Sequence, residues 1–347
     1  MENEFTQNYY EPPVTPPMPP QEDMIRSARK QFSRIGLMFF LGGIIINFVQ
    51  TIASAAVEAI NPNLMNSTAG SLLITMIPMY VIAIPLMGFL ISRIPAQKIA
   101  PKKMSAGKWL IAFLICYGGM YASNMIGLFL TQMIGILKGS PVTNVMSEIV
   151  MDSNIPVNFF LMVICAPIAE ELLFRRLLVD RMVKYGEATA VLFSGLMFAL
   201  FHGNLNQFVY AFTLGVFFAF IYVKTGNIRY TIYLHMLINF LGSIPGVLLL
   251  NWLGEDFLNA LNDPALLMPY VIEHLGGMLV YCLYAFAMVA IAICGIVLFF
   301  VNLKKIHFLP GEVTIPKGKR FSTTVLNVGM VLYFISWIAV IVLMLFA

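Results

Sequence analysis

The sequence predicts an all-α fold, a polytopic transmembrane helical bundle of seven to nine membrane helices, and three observations predict it. Of 347 residues, 59% are hydrophobic and 11% charged, where soluble globular proteins carry about a quarter charged. Mean hydropathy is +0.84. The apolar residues gather into nearly uncharged runs, mostly near the roughly 20 residues that a helix needs to cross a bilayer, and the charges collect in the short loops between them.

Taken in order, residues 1–33 form a tail, acidic and Pro-rich and then basic, and 34–347 a multi-pass membrane domain. Residues 1–25 contain no Lys or Arg, carry Glu2, Glu4, Glu11, Glu22 and Asp23, and include Pro12-Pro13, Pro16-Pro17 and Pro19-Pro20. Such a segment is expected to be extended and disordered. It is too long and too acidic for a signal-peptide n-region, so the first span is expected to be an uncleaved anchor.

The spans are Ile35–Ile60, Gly70–Ile94, Trp109–Leu137, Val157–Val183, Ala188–His202, Gln207–Val223, Ile228–Leu250, Gly277–Val301 and Thr324–Phe346. Segments 188–202 and 207–223 are short for a full crossing and also fit a helical hairpin that enters and leaves on one side, so the count runs from seven to nine. Positive charge orients the chain. Arg26, Arg29, Lys30 and Arg34 precede the first span, and the loop around Asn61 to Ala69 has no charge, which places the N-terminus inside. The alternation continues to the last span and puts the C-terminus outside.

The formal net charge of +4 therefore reports topology and contact with the lipid bilayer rather than nucleic-acid binding. Cys116, Cys165, Cys282 and Cys294 all fall within apolar spans without CxxC spacing and read as packing residues. No internal repeat and no soluble domain interrupts the spans.

Ionisable groups at depth are the exception in such a chain, and they mark function unless they are paired. The span 157–183 carries Glu170-Glu171-Leu172-Leu173-Phe174-Arg175, and His202 and His235 also lie in hydrocarbon. Counting from the inner turn near Gly186, Glu170 lies 16 residues before and His202 16 after, so the two are expected at a similar level in the arms of a hairpin. His235 and Asn239 sit nearer the turn at Gly226, lower by roughly 5 to 10 Å at 1.5 Å per residue. Glu171 and Arg175 are an i, i+4 pair, which leaves Glu170 as the freer carboxylate. His235 and Asn239 share a face by the same spacing, and Phe198, one turn before His202, walls the pocket. Arg176, Asp180, Arg181 and Lys184 read as a solvated, snorkelling inner face.

A carboxylate withdrawn from bulk water is a stronger base than a solvated one, and beside an imidazole it can hold and polarise a water. A second imidazole and an amide supply donors to the oxyanion formed when that water attacks a peptide carbonyl. The alternatives from the same residues are a proton- or cation-coupled transporter with Glu170, His202 and His235 as a relay, and a non-catalytic immunity or scaffold membrane protein.

The runs EELLFR at 170–175, Phe198-Ala199-Leu200-Phe201-His202 and His235-Met236-Leu237-Ile238-Asn239 resemble, in order and spacing, the EExxxR, FxxxH and HxxxN motifs of the CPBP family. That family holds the CAAX prenyl proteases of the Rce-type and the bacterial bacteriocin-processing or self-immunity (Abi) proteins. The match covers a core at 157–245. It implies an intramembrane endopeptidase acting on a peptide or membrane-anchored protein substrate, prenylated or leader-bearing, in which Glu170 activates water beside His202 and His235 and Asn239 form the oxyanion hole. Glu171 and Arg175 match the remaining motif positions as a supporting pair. The short loops and the EELLFR…FALFH run resemble the bacterial branch more. Members are described both as metalloproteases and as metal-independent glutamate proteases. Zinc is admissible with Glu170 or Glu171, His202 and His235. No HExxH is present, no cofactor is favoured, and the metal-free glutamate reading is preferred.

Overall fold

A computed structural model describes residues 20–152 and 154–346, and every regular element in it is helical. Helix α1 spans Gln21–Ile60, α2 Thr68–Ser92, α3 Ala106–Lys138, α4 Val145–Asp152, α5 Ile155–Tyr185 and α6 Glu187–Phe201. They are followed by α7 Leu205–Thr225, α8 Ile228–Leu253, α9 Glu255–Asn262, α10 Pro264–Glu273, α11 Leu275–Lys305 and α12 Val328–Phe346. Among the described residues eight of these are long and apolar enough to cross a membrane, and α6 is a shorter apolar helix of 15 residues. The chain is thus an integral multi-pass membrane protein, with a helix at each of the nine expected segments.

Helix boundaries follow side-chain caps. Ser67, Ser105 and Asn204 accept from the backbone N–H groups of Gly70, Lys108 and Gln207 at the starts of α2, α3 and α7, satisfying donors that have no partner within the helix. Helices α3 and α7 end on Gly139 and Gly226, both with positive φ, where an L side chain would be strained. Of the tail expected over 1–33, the stretch from Gln21 onward is helical. Residues 1–19 lie outside the described residues, and α1 is already helical at Gln21, with Glu22 and Asp23 in its first turn, where the helix dipole favours anions. Ala28, Phe32, Ile35 and Phe39 recur on one buried face, so 21–33 is a continuation of the first span.

Helices α6 and α7 pack against each other, α3 packs on α7 and α11, and α1 packs on α12. Two crossings bring backbones together through glycine. A Cβ on Gly295 of α11 would sit 1.8 Å from the Leu114 carbonyl oxygen of α3, and one on Gly329 of α12 would sit 1.7 Å from that of Ser33 in α1. Close approach through small residues holds membrane helices together where lipid offers no hydrophobic drive. The outward faces carry Phe286, Ile293, Val297 and Phe300 of α11, an apolar belt suited to acyl chains.

At the end of α5 near the basic loops the structure corrects the expectation of a solvated charged face. Asp180 and Arg181 are buried. Tyr222 donates to Asp180 at 2.9 Å, and the Arg181 guanidinium donates to the carbonyls of Ile91 and Leu177 at 2.8 and 2.7 Å. The ends of α1, α2 and α7 close over this stretch, so the charges are met by protein groups instead of water.

Candidate active site

Helix α5 carries the acidic pair, and its backbone is not a regular α-helix there. Phe159–Cys165 and Leu172–Val179 are π-helical, a distortion that recurs at functional sites. Within the first stretch the N–H of Ala166 reaches five residues back to Leu161. In that register the carbonyl of Met162 would accept from residue 167, which is proline and has no N–H. Asn239 of α8 fills the place, its Nδ2 donating to the Met162 oxygen at 2.9 Å. The amide expected to serve chemistry thus also mends a break in the neighbouring helix, and only its second N–H remains.

Glu170 and Glu171 diverge as adjacent helical residues must. Glu171 is 0% exposed: its Oε2 lies 3.1 Å from Arg175 Nε, and its Oε1 lies 3.1 Å from His235 Nδ1. The Arg175 contact is an ion pair whose angle falls short of a hydrogen bond, and the guanidinium Nη atoms make no hydrogen bond among the described residues. Its charge is met instead by aromatic faces, with Cζ 4.7 Å from the Phe198 ring centroid and 5.4 Å from that of Phe218, an arrangement strengthened by desolvation.

Glu170 is the freer carboxylate, with its side chain 20% exposed and Oε2 3.6 Å from His235 Nε2. The level difference expected for His235 is absorbed. A π turn fits more residues into a given rise than an α turn, so the arm of α5 from Glu170 to the Gly186 turn is shorter than an α-helical count makes it. His202 is not in direct contact with Glu170; it walls the same cavity. Its Nδ1 lies 2.8 Å from the Phe198 carbonyl, which can only accept, so the proton sits on Nδ1 and Nε2 is left as an acceptor. For His235, the Glu171 carboxylate fixes a proton on Nδ1 by the same reasoning. Phe198 stands edge-on to both imidazoles, with centroids 4.7 Å from His202 and 5.9 Å from His235.

Glu170, His202, His235, Asn239 and Phe198 all line one cavity of about 320 Å³. Beside them stands a group that the motifs do not contain. Asn204 donates to Gln207 Oε1 at 2.7 Å, and Gln207 Nε2 donates to the Tyr210 hydroxyl at 2.8 Å. The polarity of this chain is fixed, because each amide oxygen is occupied by a donor, so the Tyr210 proton is free to point away from Gln207. Tyr210 and Gln207 both line the cavity. The clue in the sequence was the i, i+3 recurrence of polar groups at 204, 207 and 210 at the start of the helix.

The cavity runs toward Val142, Thr143, Asn144 and Val150, on the side opposite the basic ends of the helices. It shares His202 and Gln207 with a cavity of about 210 Å³ walled by Thr143 and Leu345. It shares Asn124, Val150 and Tyr210 with another of about 320 Å³ that reaches Asn144 and Leu250.

A catalytic zinc needs three ligands and an open position. Glu170, His202 and His235 share the cavity, yet among the described residues no three His, Cys, Asp or Glu side chains are gathered closely enough to hold a metal ion. His235 also turns Nδ1 to Glu171. As arranged, the donor set does not fit the ion, and no step is derived through it.

Comparison with known proteins agrees with the motifs. Residues 152–241 match the family described as Type II CAAX prenyl endopeptidase Rce1-like. The chain is 31% identical over 148 residues to the membrane-embedded CAAX protease MroQ of Staphylococcus aureus (strain USA300), covering 40% of this chain and 57% of that protein. It therefore spans somewhat over half the length of that relative. No solved structure matches. The resemblance to the CPBP family stands, carried by the segment that holds all three motifs.

Proposed function

We propose that the CPBP-type segment makes this chain an intramembrane endopeptidase, hydrolysing peptide bonds of membrane-associated, prenylated or leader peptides in a bacterial cell membrane. Its N-terminus lies in the cytoplasm and its C-terminus outside. The observation that carries the reading is the meeting of Glu170 Oε2 with His235 Nε2 at 3.6 Å on the wall of a cavity that His202 and Asn239 also line.

In this mechanism a water held between the Glu170 carboxylate and the bare Nε2 of His202 attacks the scissile carbonyl carbon, giving its proton to that pair. The carbonyl π electrons move to oxygen. The second N–H of Asn239, the Tyr210 hydroxyl and, when doubly protonated, His235 through Nε2 donate to the oxyanion. Collapse breaks the C–N bond, and the proton returns to the leaving amine. Glu171 holds His235 in its tautomer, and Arg175 balances Glu171. No step requires a metal ion.

Turnover of a membrane-anchored peptide by purified protein in detergent tests this. Glu170→Gln and His202→Ala are expected to abolish cleavage while the protein remains folded by circular dichroism. Equal turnover by wild type and both variants would remove the mechanism. Proton-coupled ion flux in proteoliposomes without peptide cleavage would favour a transporter instead.

A further inference from the structure

A second recess, of about 500 Å³, lies on the face of α7 turned away from the active-site cavity. Tyr210, Ala211 and Leu214 of α7 line the active-site cavity, whereas Phe212, Thr213, Val216 and Phe217 line this recess, and the two linings share no residue. The backbones of α3 and α11 meet at Gly118 and Gly295. From that crossing toward the basic ends of both helices a space is left, walled by Ala112 and Cys116 on one side and Phe299 and Lys305 on the other. Leu192 of α6 also lines it and is 54% exposed, so the recess opens on a face that meets lipid.

Its length and its charge both fit a lipid. Along α7 the lining runs from Phe212 to Ile221, a rise of about 14 Å at 1.5 Å per residue. One leaflet of hydrocarbon is about 15 Å deep, half of the bilayer core. At the basic end the wall turns cationic. Lys305 lines the recess, and Lys108 stands one turn before Ala112 on the same face of α3. Both lysines are exposed, and among the described residues neither makes an ion pair. Lys305 Nζ spends one donor on Asn302 Oδ1 at 2.9 Å, which leaves two. Glu187, the neighbour of Ala188 in the lining, does not offset them, because its Oε2 already accepts from Lys224 and from the Leu309 N–H.

We infer that this recess is a binding site for one anionic phospholipid, with an acyl chain lying between α3, α6, α7 and α11 and the phosphate held by Lys108 and Lys305. Basic pockets between membrane helices recognise anionic head groups in this way. The site is separate from the catalytic cavity and stands whether or not the chain hydrolyses peptides.

Native mass spectrometry of the full-length protein in detergent, titrated with dioleoyl phosphatidylglycerol or dioleoyl phosphatidylcholine, tests this. Wild type is expected to retain one phosphatidylglycerol in preference to phosphatidylcholine by about twentyfold, near fivefold for each lysine. Lys108→Gln with Lys305→Gln is expected to erase that preference and leave phosphatidylcholine binding unchanged. Lys317→Gln with Lys319→Gln, which removes two exposed charges from the loop before α12, is expected to keep it. Ala112→Phe fills the recess and is expected to weaken both lipids, and dihexanoyl phosphatidylglycerol tests the same apolar contribution on wild type, where binding at least tenfold weaker is expected. Equal retention of the two dioleoyl lipids by wild type, or an undiminished preference in the Lys108 and Lys305 variant, would overturn the inference. So would an equal loss in the Lys317 and Lys319 variant, which would show diffuse attraction to the basic loops, or equal binding of the short-chain lipid, which would show that the recess holds no acyl chain. Peptide cleavage by wild type is scored separately, and its absence would count against the hydrolytic reading alone.

Discussion

Arg175 gives the sharpest energetic prediction. Replacing it with Met keeps most of the volume and removes the charge. The Glu171 carboxylate, 0% exposed, then keeps His235 at 3.1 Å and the Thr231 hydroxyl but loses its guanidinium partner. Breaking a buried pair by removing one partner costs about 3–5 kcal/mol, because the other charge is left uncompensated. The guanidinium also leaves the faces of Phe198 and Phe218, so the upper part of that range is expected. Against a typical total of about 5–15 kcal/mol, this is a large fraction. The double variant Glu171→Gln with Arg175→Met removes both charges and keeps an oxygen to accept from His235 Nδ1, so most of the lost stability is expected to return. Thermal unfolding of detergent-purified proteins reads both effects. If Arg175→Met unfolds at the wild-type temperature, or the double variant is no better than the single one, the charge accounting at this site is wrong.

Three further outcomes follow from the geometry. Tyr210→Phe removes one proposed oxyanion donor and is expected to lower kcat by about 10²–10³ with KM unchanged; an unaltered kcat would take Tyr210 out of the site. Asn239→Ala leaves the Met162 carbonyl without its side-chain donor and is expected to cost about 1–3 kcal/mol of stability besides activity, whereas loss of activity at full stability would argue against the bridge between α5 and α8. Gly295→Val drives a side chain into the Leu114 carbonyl and is expected to abolish monodisperse elution on size exclusion; a well-folded variant would mean that α3 and α11 do not cross so closely.

The architecture was legible because lipid leaves few choices. Apolar runs with charged breaks can only be helices, and the nine segments each hold one. The i, i+4 spacing of Glu171 and Arg175 sufficed to find their ion pair, and the i, i+4 spacing of His235 and Asn239 to put both on the cavity. What stayed hidden depends on backbone irregularity and on neighbours distant in sequence. The π turns that bring Glu170 to the level of His235 have no simple signature. The demand that Asn239 meets arises only when Pro167 falls in a π register. Asp180 and Arg181 looked solvated because their cover comes from Ile91 and Tyr222, about 90 and 40 residues away in the chain. The hydrogen-bonded chain from Asn204 to Tyr210 lies outside the three motifs, and its i, i+3 spacing alone does not single it out.

Activation of water by Glu170 is most directly tested by one turnover of the peptide in water enriched in ¹⁸O, followed by mass spectrometry of product and protein. The account predicts the label in the new C-terminal carboxylate of the product and none in Glu170, with no product from Glu170→Gln. Label in the Glu170 side chain would show that the carboxylate itself attacks the carbonyl, and would contradict the proposed role of water.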